Sequence, residues 1–227
     1  MATHLDLEEQ EQIDQIKHFW SKWGTPITGV AVVVLGAFAA WNGYQYWQQR
    51  QALQASALAD VVSAAVASGD QARVVQAFDV IKADYPGTLQ AGHAALQVAQ
   101  SAVAAGQLPQ AQAALQWAVD NSKDTGYQAA AKLRLAAVLM EQKDLDAAVA
   151  LLKGSFPAEF KGLAADRLGD ALQLQGKNQE AIAAYEEAWK LLDPQVEYRA
   201  LVGFKLNALG VPTTESGSAK LTTETNK

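Results

Sequence analysis

Two hydropathy patterns divide the chain. From Lys22 to Arg50 lie 27 residues without a formal charge, and within them Ile27–Trp41 (ITGVAVVVLGAFAAW) is close to continuously apolar. After Arg50 the apolar residues recur at three- and four-residue spacing, in runs separated by Gly, Pro, Asn or Asp. The first pattern predicts a helix hydrophobic on all sides, and the second predicts a series of amphipathic helices.

The apolar run has the dimensions of a membrane span. As a helix, Trp23 to Trp47 covers about 36 Å, enough for a hydrocarbon core of about 30 Å and part of each interface. Ile27, Val30, Val32, Val33, Val34, Leu35 and Phe38 together contribute about -2 to -4 kcal/mol on an insertion scale. Trp20 and Trp23 precede the run, and Trp41, Tyr44, Tyr46 and Trp47 follow it, which puts aromatic rings at both headgroup levels. Two other readings compete. A buried core helix rarely combines so long a charge-free stretch with aromatics at both ends. A cleavable signal peptide would use Ala37-Phe38-Ala39, but such peptides begin short and positive. Here the preceding 24 residues carry Asp6, Glu8, Glu9, Glu11 and Asp14 against Lys17 and Lys22. Those two lysines, with only Arg50 close behind the span, favour a cytoplasmic N-terminus. Gly29, Gly36 and Gly43, with Ala40, share one helix face where another backbone could approach closely; glycine is also simply frequent in membrane helices.

Beyond the span the chain repeats itself. Turn residues at 69, 106, 142 and 176 recur at 34 to 37 residues, each followed by counterpart apolar positions (Val74, Phe78, Ile81; Ala111, Leu115, Ala118; Ala147, Leu151, Gly154). In the last unit this reads Ala181, Tyr185, Ala188 after Leu168-Gly169 and Leu172, with Pro194 as a stop. A helical hairpin of about 34 residues is the signature of tetratricopeptide arrays. The usual tryptophan position holds Ala165, and the first three units lack the Leu-Gly pair, so generic alanine-rich hairpins are the alternative. The expected fold is all-α: an N-terminal transmembrane helix, then a tetratricopeptide-like array of about four helical hairpins (51–86, 88–122, 126–154 and 162–193) and a capping helix at 196–209. The expected division is a short N-terminal segment at 1–24, the span at 25–48, the repeat domain at 49–210 and a disordered tail at 211–227.

Composition supports helices and removes much chemistry. The 45 alanines and 23 glutamines are strong helix formers. A formal net charge of -6 argues against binding a nucleic-acid backbone. With no cysteine, thiolate metal sites and a thiol nucleophile are excluded. The three histidines (His4, His18, His93) are far apart, and no phosphate loop, metalloprotease helix or serine elbow occurs. The sequence therefore predicts no enzyme, no cofactor and no metal site. What remains is an inner groove of the repeats. Counting from the turns places His93, Leu96, Gln100 and Val103 of the second hairpin there. It adds Lys132, Ala136 and Leu139 of the third, and Asp166, Asp170 and Gln173 of the fourth. Such a mixed lining suits loose contact with unfolded or extended polypeptides, unless it is an ordinary solvated face.

Some stretches narrow the reading further. Glu11-Gln12-Ile13-Asp14-Gln15-Ile16-Lys17-His18-Phe19-Trp20, then Gly24 and the aromatic-ended span, resembles the ancillary SecYEG translocon subunit family of bacterial inner membranes. Ala165-Asp166-Arg167-Leu168-Gly169-Asp170-Ala171 before Gly176-Lys177, and Phe204-Lys205-Leu206-Asn207-Ala208-Leu209, agree with it. The likeness runs from about residue 8 to 210. It implies a single-pass inner-membrane protein with a cytoplasmic N-terminus and a periplasmic tetratricopeptide-like domain. It also implies partners: the SecYEG translocon and a membrane-anchored periplasmic prolyl-isomerase-like chaperone, in assistance to proteins emerging into the periplasm. No catalytic residue comes with the resemblance. A membrane-anchored scaffold for assembling a cell-envelope complex is the alternative function.

Overall fold

A computed structural model describes residues 7–213, all helical apart from turns, with no strand among them. Met1–Asp6 and the part of the predicted tail at 214–227 lie outside the described residues. The chain divides into two compact units, Met1–Gln51 and Ala52–Lys227, and helix α1 (Leu7–Ser68) contributes to both.

In the first unit α1 carries the charge-free run, and its apolar side chains meet no protein. Val30, Val33, Leu35 and Phe38 point in different directions around the helix, yet each is well exposed, Val33 to 71%. An apolar helix that buries no face in its own protein needs an apolar solvent, and a bilayer supplies one. The rings at the far end have satisfied polar tips. Gln48 Nε2 donates to the Tyr44 hydroxyl at 2.9 Å, and the Arg50 guanidinium donates to the Tyr46 hydroxyl and sits 4.8 Å from its ring centre.

The second unit is the repeat array. The end of α1 pairs with α2 (Gln71–Asp84), α3 (Leu89–Ala104) with α4 (Leu108–Asn121), α5 (Thr125–Glu141) with α6 (Leu145–Leu152), and α7 (Ala158–Leu174) with α8 (Asn178–Leu191). Helix α9 (Tyr198–Ala208) follows. Side-chain caps begin several of these helices: Asp70 accepts from Arg73 N, Thr88 from Ala91 N, Asp124 from Tyr127 N and Asp144 from Ala147 N. Alanines at zero exposure, such as Ala91, Ala94, Ala102, Ala118 and Ala181, let helix backbones approach closely around a few large residues, chiefly Ile81, Leu115 and Tyr185. The tightest approach is at Gly169, where a Cβ would lie 2.4 Å from the Tyr185 ring.

The turns set the repeat register. Gly106, Lys143 and Gly176 all adopt left-handed backbone (φ 72, 66 and 75°), and the residue after each donates back to the carbonyl five positions earlier. These bonds are Gln107 N to Ala102 O, Asp144 N to Leu139 O and Lys177 N to Leu172 O, the six-to-one closure of a Schellman turn. The third turn is therefore at Lys143, one residue later than the Gln142 read from sequence. Gly210 (φ 84°) makes the same closure, Val211 N to Leu206 O, 34 residues after Gly176. Helix α9 thus matches the first helices of the hairpins in its turn geometry and caps the described array. Val211 packs on the core and Thr213 N donates to Asn207 Oδ1 at 3.0 Å.

Candidate functional site

The first helices of successive hairpins lie side by side, and the clefts between them differ in what fills them. Between the end of α1 and α3, polar rungs close the gap. Ser63 Oγ donates to Gln97 Oε1 (3.0 Å), and Gln90 Nε2 donates to Ser56 Oγ (3.1 Å). The α7–α9 contact is closed by charge. Asp166, at 0% exposure, accepts from Lys205 Nζ at 2.7 Å and from the Tyr198 hydroxyl at 2.5 Å. Asp170 accepts from the same Lys205 Nζ at 2.6 Å, from the Tyr185 hydroxyl at 2.7 Å and from Arg167 at 3.3 Å.

The α3–α5 cleft is open. Two adjoining cavities of about 690 and 400 Å³ share Gln100 and Arg134 as common wall. The larger runs over Ala99, Val103, Leu108, Leu115, Ala137 and Val138 and has Glu141 at its edge. The smaller lies over Leu96 between His93 and Tyr127, whose rings are 6.3 Å apart edge to face. Register explains the opening. With Lys143 matched to Gly176, Arg134 occupies the position of Arg167, and Ala137 that of Asp170. Asp170 holds Arg167, whereas Ala137 offers Arg134 no acceptor, so this guanidinium makes no hydrogen bond or ion pair among the described residues. An apolar trough beside an unpaired arginine can seat an aliphatic or aromatic side chain while the guanidinium donates to a carbonyl or carboxylate alongside.

The structure brings together only the α3 portion of the predicted groove: His93, Gln100 and Val103 are exposed on the cleft and Leu96 forms its floor. Three predicted residues are corrected. Lys132 turns away, its Nζ donating to Ser155 O at 3.2 Å over the Phe156 ring, and Leu139 and Ala136 are buried core. Counting from Gln142 put Ala136 in the place of Ala137, which does line the cleft. Asp166 is internal for a different reason, because Lys205 and Tyr198 neutralise and cover it. Asp170 is half-buried in the same cluster, and exposed Gln173 lies 3.0 Å from the Tyr185 hydroxyl. Sequence counting missed Tyr127, Arg134, Ala137 and Glu141; reading Lys143 as the turn would have found Ala137 alone. Gly29, Gly36 and Gly43 face open space. No cluster of histidines or acids that could hold a metal occurs among the described residues.

The closed end of the array carries a pH signature. Burial first, and then the hydrogen bond to Asp166, push the Tyr198 hydroxyl well above its ordinary value of 10.0; burial and Asp170 do the same to Tyr185. With the folded pKa raised, the folded state holds protons that the unfolded chain has released. The stabilisation is complete below about pH 10 and declines as pH rises further. Thermal melts of the full-length protein between pH 8 and 11.5 should show this decline. Tyr198→Phe, which cannot ionise, should flatten it; an unchanged slope would contradict the assignment.

Comparison with known proteins agrees with this architecture. The tetratricopeptide repeat-like domain family matches residues 17–211. The chain is similar to the ancillary SecYEG translocon subunit of Neisseria gonorrhoeae, 33% identical over 92% of this chain and 100% of that protein. It is also similar to the protein of the same name from Escherichia coli, 27% identical over 89% of this chain and 97% of the relative. Among solved structures, a protein of nearly identical tetratricopeptide-like repeats from Podosopora anserina shares the fold. It has a TM-score of 0.51 at 18% identity, over 69% of this chain and 84% of that one.

Proposed function

The chain belongs to the ancillary SecYEG translocon subunit family, and from that premise we propose that it is a non-enzymatic accessory of the protein-export translocon. Its single span, one face of which carries Gly29, Gly36, Ala40 and Gly43 for close helix packing, anchors it beside SecYEG. The short N-terminal segment is cytoplasmic and the repeat domain periplasmic. There it works with a membrane-anchored prolyl-isomerase-like chaperone on polypeptides emerging into the periplasm. Tethering raises the local concentration of the repeats at the channel exit, so weak contacts suffice. The open α3–α5 cleft carries this reading. It offers apolar volume and one unpaired cation, and both are features that any extended chain can use without a fixed sequence.

A photoreactive residue at Gln100, where the two cavities meet, is expected to crosslink emerging chains in membranes, whereas one at exposed Gln179 on α8 is not. Ala137→Asp should pair Arg134 as Asp170 pairs Arg167. It should lower the crosslinking several-fold while leaving the melting temperature nearly unchanged. Equal labelling from Gln100 and Gln179 would remove the cleft from the mechanism. A single folded partner labelled from Gln100 would instead favour the envelope-scaffold role.

A further inference from the structure

The segment of α1 ahead of the span has an apolar face of its own. Ile13, Ile16, Phe19, Trp20 and Trp23 are all exposed, Ile16 to 67%. At about 100° per residue they fall within an arc of about 120°, while Asp14, Gln15, Lys17, His18, Ser21 and Lys22 occupy the remainder. If the helix axis simply continued out of the bilayer, Ile13 would stand about 20 Å and Phe19 about 12 Å beyond Ile27. The interfacial layer is only about 5–8 Å deep on each side, so most of this face would be stranded in water.

The sequence at the junction provides another course. Pro26 lies inside α1 and lacks the N–H that would bond the carbonyl of Lys22, and two residues before it Gly24 lies beneath the Trp20 indole, 3.2 Å from where a Cβ would be. That is a weak point in the helix at the edge of the apolar run. The covering surface is continuous with the one that holds the span, and two features match it. Trp20 and Trp23 are rings that favour the headgroup level, and Lys17 and Lys22 flank the apolar arc where lipid phosphates would lie. We infer that residues 13–23 form an amphipathic helix lying in the lipid interface, hinged at Gly24–Pro26, with Ile13, Ile16, Phe19, Trp20 and Trp23 turned into the bilayer. This rests on Ile27–Trp47 being a membrane span.

The chain has no cysteine, so single cysteines can be placed without altering a background. The test uses the full-length protein, spin-labelled singly at each position from 13 to 23 and at Val33, in nanodiscs of mixed zwitterionic and anionic lipid without any other protein. Labels at 13, 16, 19, 20 and 23 are expected to collide with oxygen more often than with a water-soluble nickel complex, with the order reversed at 14, 18, 21 and 22. Uniform access to nickel along 13–23 overturns the inference. So does protection that arises only when purified translocon is added, because the face would then belong to a protein partner. The Val33 label separates this from failure of the span itself: nickel access there would refute the span, whereas oxygen access there with nickel access at 13–23 refutes only the interfacial helix.

Discussion

Lys205→Met is expected to cost the repeat domain about 3–5 kcal/mol, the range for removing one partner of a buried ion pair. Lys205 Nζ lies 2.7 Å from Asp166 Oδ1 and 2.6 Å from Asp170 Oδ1, and Asp166 is fully buried. Methionine keeps much of the packing volume but leaves two neighbouring carboxylates without their shared cation. Tyr198 and Tyr185 still donate to them, but a hydroxyl does not cancel charge, and Arg167 pairs with Asp170 alone, which leaves Asp166 without a cation. Lys205 and Asp170 keep 22% exposure, so water screens part of the loss and favours the lower end of the range. Repeat arrays unfold from their ends, so α9 should be released before the rest. Hydrogen exchange should therefore accelerate at the amides of α9 and far less in α3 and α4. Asp166→Asn, costly alone, should cost less when Lys205 is already methionine, since the unpaired charge disappears with it. A loss below about 1 kcal/mol, typical of solvent-screened surface pairs, would show that apolar contacts alone hold α9.

The features that sequence conveyed well were those with local physical causes. Period-3.6 patterning fixed the hairpins, because each helix must bury one stripe and the small residues Gly169, Ala181 and Ala188 admit its neighbours. Three of the turns were legible because glycine tolerates their left-handed backbone. The third was not, since Lys143 adopts φ 66° with nothing in its side chain to announce it. That one-residue displacement put buried Ala136 in the place of Ala137, which lines the cleft. The buried ion cluster was invisible for a different reason. An aspartate four residues from another on a helix reads as solvated surface, and only the arrival of Lys205, 39 residues after Asp166, makes burial tolerable. Even so, one signal was available. Gly203 follows Gly169, and Gly210 follows Gly176, at the same 34-residue interval, which marks the capping helix α9 as similar to a first helix and packed beside α7.

Leu35→Arg should release the protein from the membrane. The apolar residues of the run contribute about -2 to -4 kcal/mol to insertion, whereas one arginine at mid-span costs about 2.5–3.5 kcal/mol and forfeits the leucine's own contribution. The two sides nearly cancel, so a protein held by this run alone becomes marginal. Leu35 is 66% exposed in α1 and lies far from either aromatic girdle, which leaves a guanidinium there little chance of reaching water along its own side chain. Wild-type protein should stay with membranes after alkaline carbonate, and Leu35→Arg should move substantially into the supernatant. Val61→Arg is the matched control: it lies on the same helix and is exposed, but falls within the repeat unit, so it should remain membrane-bound. If Leu35→Arg resists carbonate as the wild type does, some element other than the Ile27–Trp47 run supplies the anchor. If it is released yet its repeats crosslink emerging chains undiminished, tethering contributes nothing to the encounter. Loss of both retention and crosslinking, with an unchanged melting temperature for the repeat unit, would place the anchor in the functional chain: a weak, open cleft becomes effective because the span holds it beside its substrate.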